Sequence, residues 1–215
     1  MIERGASSRF RNGAVIALTG LAVVAAIALT WSSMPSSLPK TSVDASGRYR
    51  LVDSTGALFD RSRLKGKPYL TYFGYTHCPD ICPAMLAKLT AARARIGKNA
   101  QDLRIVFITI DPERDTPERL ARFVAQSGGD VIALTGSPET IDEVADSAAV
   151  YVKRTPQPGG GYMIEHSMSV FIYDRDGDFI DTILPNEDGA AIMDKLRGVL
   201  AKPSTFGPVN QSAVS

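Results

Sequence analysis

An apolar run, Pro68 to Gly74, leads straight into Tyr75-Thr76-His77-Cys78-Pro79-Asp80-Ile81-Cys82-Pro83. The aromatic and apolar content of Tyr69 to Gly74 reads as a buried strand. After the turn, Cys82, Met85, Leu86, Leu89, Ala92 and Ile96 recur at helical spacing, and Gly97 suits the helix stop. Leu103 to Ile110 is a near-continuous β-branched run, as a central strand requires. Strand, helix and strand in that order make a parallel pair with a crossover helix. The first turn of this unit holds both cysteines of the chain and one of its two histidines.

The flanking segments complete a mixed α/β pattern. Tyr49 to Val52 and Leu58-Phe59 flank a turn at Gly56 and read as a hairpin. Asp115 or Thr116 caps a helix with Pro117 at its first position, burying Leu120, Phe123 and Val124. Val131 to Leu134 is a short strand, and Ser137-Pro138 opens a helix burying Ile141, Val144, Ala145 and Ala148. Pro156 to Tyr162, with Gly159-Gly160-Gly161, reads as a mobile loop. Met168 to Tyr173 and Phe179 to Ile183 are strands joined by Asp174-Arg175-Asp176-Gly177. Ile192, Met193, Leu196, Val199 and Leu200 line a final helix. A parallel pair, an antiparallel hairpin and a closing helix form the thioredoxin-like pattern, here with an N-terminal hairpin. In that architecture, reactive cysteines sit after the first core strand, where Cys78 and Cys82 fall.

Composition narrows the partners. The net charge of +1 gives no basis for nucleic-acid binding. Two cysteines are too few for a disulfide scaffold. Arg4, Arg9 and Arg11 precede an uncharged run ending at Trp31. Such a run nearly spans a bilayer, which takes roughly 17–25 residues. The arginines then stay cytoplasmic and the rest of the chain lies outside the cytoplasm, on the periplasmic side in a bacterium. A cleaved signal peptide, with Ala26-Ile27-Ala28 as a small-x-small site, is the rival reading. The length of the run favours an uncleaved anchor. The expected organisation is a cytoplasmic segment at 1–13, one transmembrane helix at 14–31, and a Ser- and Pro-rich linker at 32–46. A thioredoxin-like domain follows at 47–201, with a flexible tail at 202–215.

The cysteine turn suits copper. Pro79 and Pro83 are tolerated in a helix's first turn, and a helix N-terminus favours thiolate. Cysteines four apart on one helical face bring two sulfurs to one ion. Two soft thiolates select Cu(I), and an imidazole admits Cu(II) as well. The third ligand is expected to be His166, just before the strand that starts at Met168. His77 adjoins Cys78 and tends to point elsewhere, beside the site rather than in it. Asp111 and Asp115 read first as structural residues, with a place near the metal as the second reading.

Three motifs in order carry a family resemblance. They are Tyr72 to Pro83, Ile110-Asp111-Pro112-Glu113-Arg114-Asp115-Thr116-Pro117, and Glu165-His166-Ser167 before an apolar strand ending in Asp174-Arg175-Asp176-Gly177. Together they resemble the Sco/SenC family over roughly residues 46 to 200. The resemblance implies a membrane-anchored copper chaperone for cytochrome c oxidase assembly. It implies Cys78, Cys82 and His166 as copper ligands, and a copper-receiving oxidase subunit as client. Delivery of metal to the dinuclear copper centre, reduction of its thiols, or both, is the implied task. Glu165 stands where the family often has Asp, so an outer role for that acid reaches further here.

A second reading makes Cys78 and Cys82 the redox pair of a thiol–disulfide oxidoreductase. Outside the cytoplasm these thiols tend to oxidise. Even a copper chaperone then needs a thiol reductant of thioredoxin type. A thiol peroxidase fits less well, because Tyr75 stands where Thr is wanted and the lone tryptophan is Trp31. A closed zinc site wants a fourth ligand.

Overall fold

The computed structural model describes residues 51–204, apart from 60 and 129. The chain divides into two units, Met1–Pro39 and Lys40–Ser215, and the described residues fall in the second. The expected segments 1–13, 14–31 and 32–46, and the tail beyond 204, lie outside the described residues. No helix among the described residues is long and apolar enough to cross a membrane.

β1 (Leu51–Asp53) and β2 (Leu58–Phe59) form the N-terminal hairpin, with Leu51 opposite Phe59. β3 (Tyr69–Gly74), α1 (Ile81–Ile96) and β4 (Arg104–Thr109) form the crossover unit. β3 and β4 run parallel, from Tyr69 opposite Arg104 to Gly74 opposite Thr109. α2 (Pro117–Ala125), β5 (Ile132–Thr135) and α3 (Pro138–Ser147) follow. Then come β6 (Val152–Pro156), β7 (Tyr162–His166), β8 (Val170–Tyr173), β9 (Phe179–Ile183) and α4 (Gly189–Ala201). Seven strands make one sheet in the order β2-β1-β5-β4-β3-β8-β9, while β6 and β7 pair apart from it.

The central strands are apolar throughout because both sheet faces are covered. Leu70, Tyr72, Ile105 and Phe107 face α1, α2 and α4, packing with Leu86, Leu89, Leu120 and Leu196. Tyr69, Phe73, Val106 and Ile108 face the other way, onto Ile141 and Val144 of α3 and Ile164 of β7. Helix starts follow the expected chemistry. Thr116 Oγ1 accepts from the Arg119 amide before Pro117, and Ser137 Oγ accepts from the Thr140 amide before Pro138.

Four features depart from the sequence reading. Asp115 does not cap α2; Thr116 does, and Asp115 is drawn inward instead. α1 begins at Ile81, so Cys78 and Pro79 precede it rather than lying in its first turn. Pro156 to Tyr162 is the turn of a β6–β7 hairpin. Gly159, Gly160 and Gly161 there take φ of 96°, 100° and 78°, a region that only glycine enters freely. His166 ends β7, opposite Val152, rather than sitting in a loop.

Gly74, at the end of β3, lies against the first turn of α1. A Cβ there would come within 2.7 Å of Phe107 Cε2 and 3.0 Å of Cys82 Sγ. Phe107 is fully buried and cannot yield. Gly74→Ala is therefore expected to lower unfolding free energy by about 1–3 kcal/mol, the cost of overpacking. Denaturant unfolding measures it, and a variant as stable as the parent would show that the ring and sulfur can move aside.

Candidate metal centre

The turn between β3 and α1 is built from short hydrogen bonds. The Cys78 amide donates to the Tyr75 carbonyl at 3.2 Å, closing the turn. Asp80 occupies the N-cap of α1 but makes no side-chain cap bond. A sulfur takes a helix amide instead: Cys82 N–H donates to Cys78 Sγ at 3.4 Å. That bond sets the two sulfur-bearing residues side by side although only Cys82 is helical. Both thiols are free, with Cys82 fully buried and Cys78 9% exposed. The Tyr72 hydroxyl donates to Cys82 Sγ at 3.5 Å. Burial pushes the Cys82 thiol up to about 12, and the Tyr72 hydrogen bond offsets only part of that. The thiolate expected there thus needs something stronger than the helix terminus, and a metal ion that displaces the proton would supply it.

His166 has one ring nitrogen committed to the backbone. Its Nδ1 lies 2.7 Å from the Ser167 carbonyl. A carbonyl only accepts, so Nδ1 carries the proton and Nε2 holds the free lone pair. Burial lowers the imidazole pKa, which favours the neutral, ligating form. The ring meets Tyr75 edge-on, with centroids 5.8 Å apart. Tyr75 in turn donates from its hydroxyl to the Ile164 carbonyl at 3.4 Å. The cysteine turn and the end of β7 therefore touch through Tyr75.

Cys78 and Cys82 adjoin each other, and His166 meets their turn through the Tyr75 ring rather than converging with the sulfurs on one point. Among the described residues, the trio whose ligand atoms all lie within 4.8 Å of one another is His77, Asp111 and Asp115. The carboxylates of that trio are already committed. Asp115 Oδ2 accepts from the Thr76 amide at 2.9 Å and Thr109 Oγ1 at 2.6 Å, and Oδ1 accepts from Thr76 Oγ1 at 2.5 Å. Asp111 Oδ2 accepts from Arg114 Nε at 2.5 Å and Oδ1 from the Tyr162 hydroxyl at 2.5 Å. His77 is exposed, its Nε2 3.1 Å from Arg119 Nη2 and its Nδ1 4.0 Å from Asp115 Oδ1. Of these three, Asp115 braces the cysteine turn, while Asp111 is bound to Arg114 and to Tyr162 of the hairpin. Glu165 sits on the exposed, outward side of β7, whereas the side chains of Tyr162, Ile164 and His166 alternate onto the inner side.

Two thiols and an imidazole would offer two sulfurs and one nitrogen, a soft combination that would fit copper. Sequence reasoning missed the tyrosine hydroxyl bonds: Tyr72 to Cys82, Tyr75 to the Ile164 carbonyl, and Tyr162 to Asp111. Tyr72 and Tyr75 lie in an aromatic stretch that packing alone would explain, and Tyr162 ends a glycine-rich stretch, so no local signal marks the hydroxyl's use.

The SCO1/SenC family pattern matches residues 39–201. An Arabidopsis thaliana relative, "Protein SCO1 homolog 1, mitochondrial", is 38% identical over 149 residues, 69% of this chain. The chain spans only 45% of that relative's length. The structure of Bradyrhizobium japonicum ScoI with copper bound is similar with a TM-score of 0.65 at 34% identity, covering 71% of this chain and 98% of that one. The structure of Arabidopsis thaliana ScoI with copper bound is similar with a TM-score of 0.67 at 36% identity, covering 72% and 96%.

Proposed function

The chain belongs to the SCO1/SenC family, and from that premise we propose that it is a copper chaperone of cytochrome c oxidase assembly. Its cargo is held by Cys78, Cys82 and His166 and passed by ligand exchange to a copper-receiving subunit of the oxidase. The observation that supports this reading is a buried pair of free thiols on a turn whose Tyr75 ring meets an imidazole with its Nε2 left unprotonated. The apolar run at 14–31 supports a domain held at a membrane, outside the cytoplasm. Copper relatives and the soft donor set together favour this metal over zinc.

The test is anaerobic Cu(I) titration of the reduced protein against a competing chelator. One ion per chain is expected. His166→Ala should weaken binding by more than about 10-fold, since even outer partners of a metal site are worth that much, while the unfolding midpoint stays put. Undiminished copper retention in His166→Ala would remove that residue from the site.

The adjacency of the thiols also supports a redox reading. Cys82 N–H bonds directly to Cys78 Sγ, so little motion separates the pair from a disulfide. Exchange with a partner disulfide, which takes the two electrons and two protons and becomes a dithiol, would join the two sulfurs and remove both soft ligands at once. A thiol reductant of thioredoxin type would restore them. A reduced protein that takes up no copper yet exchanges rapidly with partner disulfides would make this its main task.

A further inference from the structure

The hairpin carrying His166 owes its place to side chains, because among the described residues β6 and β7 hydrogen-bond as strands only with each other. Ile164 is buried against the face of the sheet that α3 covers. Arg154 Nη2 donates to the Ile110 carbonyl at 2.9 Å. The densest contact is at Tyr162, the first residue of β7. Its hydroxyl donates to Asp111 Oδ1 at 2.5 Å and lies 3.2 Å from Glu113 Oε2. The Arg114 guanidinium sits 4.0 Å from the Tyr162 ring centroid. It also donates through Nη1 to the Tyr162 carbonyl at 3.3 Å and through Nε to Asp111 Oδ2.

One short loop therefore grips both halves of the centre. Asp115, at one end of the stretch 111–115, holds the cysteine turn through Thr76. Asp111, at the other end, holds the hairpin through Tyr162. The Asp115 amide donates to the Asp111 carbonyl at 2.9 Å, so the two ends are fixed to each other. Tyr162 and His166 share the inner side of one strand, roughly 13 Å apart along it. A strand is stiff over that distance, so where Tyr162 is pinned decides where the imidazole arrives.

We propose that Tyr162, clamped by Asp111 and Arg114, is the positioning residue that sets His166 against the two cysteines. The proposal rests on the copper reading of His166. It assigns the 111–115 stretch a task beyond capping and bracing: it fixes the spacing between the sulfur half and the nitrogen half of the site.

Tyr162→Phe tests it, since the ring that Arg114 covers is kept and only the hydroxyl is lost. In the copper-free variant, backbone amides of 152–166 should exchange with deuterium faster than in the parent, while those of β3 and β4 are unchanged. Copper affinity should fall about 10-fold or more, the scale on which outer partners tune a metal site. The nitrogen hyperfine signature of the Cu(II) form should weaken. In a His166→Ala background the same substitution should cost nothing further in copper affinity. Unaltered hairpin exchange, or an equal affinity loss with and without His166, overturns the proposal. If His166→Ala alone binds copper as the parent does, the copper reading of that residue falls, and the exchange rates alone decide whether Tyr162 places the hairpin.

Discussion

Cys82→Ser is expected to lower the Cu(I) affinity of the reduced protein by more than about 100-fold, beyond what outer partners of a metal site contribute. A hydroxyl is a hard, protonated oxygen near neutral pH and cannot replace a soft sulfur for Cu(I). The substitution also has a cost in the fold. Cys82 is fully buried between Tyr72, Phe107 and the end of β3 at Gly74. A serine there exchanges a large polarisable atom for a small polar one, leaving a gap beside an aromatic ring and a hydroxyl near a single partner. A loss of about 1–2 kcal/mol is expected from the buried hydroxyl. Cys78→Ser separates the two effects, because Cys78 is slightly more exposed than Cys82 and a serine hydroxyl there can still accept from the Cys82 amide. It should lose copper to a similar extent with little change in unfolding. Competition titration gives the affinity and denaturant unfolding gives the stability. Copper binding at parental strength in either variant would sink the thiolate site.

Asp115→Ala should destabilise the fold by about 1–3 kcal/mol, as expected when a buried donor loses its acceptor. Asp115 is fully buried and accepts from the Thr76 amide, the Thr76 hydroxyl and the Thr109 hydroxyl. The two hydroxyls can rotate towards other acceptors, but the Thr76 amide cannot, so the turn bearing Cys78 loses its fixed backbone bond. Asp115→Asn should cost less, because one oxygen remains and the hydroxyls can accept from the new amide. The α2 cap is untouched in both, since Thr116 supplies it. Guanidinium unfolding at neutral pH would show the order parent, Asn, Ala. Stability within about 0.5 kcal/mol of the parent, the range of neutral surface changes, would mean that the network is not structural.

Much of the architecture is legible in the sequence, for a physical reason. β3 and β4 are covered on both sides, so their residues form unbroken apolar runs, and the observed strands fall within a residue of the reading. α2 and α3 announce themselves through Thr-Pro and Ser-Pro pairs, where cap and first-turn chemistry coincide. The β6–β7 hairpin lacks such a signal. Val152 to Pro156 carries Lys153 and Arg154, and its stabilising contacts are an arginine on a distant carbonyl and a phenol on a distant carboxylate. Asp115 and Thr116 are both competent caps, and what draws Asp115 inward is Thr76, 39 residues earlier. Likewise, the sulfur that serves the start of α1 belongs to a residue outside the helix, which a period of 3.6 cannot reveal.

If the two cysteines and His166 hold the ion, the slightly greater exposure of Cys78 would give a handover its direction. Cys82 is sealed beneath Tyr72 and the helix, whereas Cys78 and the Tyr75–His166 edge lie nearer the rim. An incoming donor can reach the ion only from the rim, so ligands would be released in sequence, outer sulfur and imidazole first and the sealed sulfur last. The ion would keep one firm attachment until the acceptor had built most of its own shell. Release into water, the wasteful outcome for a soft, reactive ion, would thereby be the slowest path out. The same asymmetry predicts that a bulky alkylating reagent labels the copper-free protein at Cys78 well before Cys82.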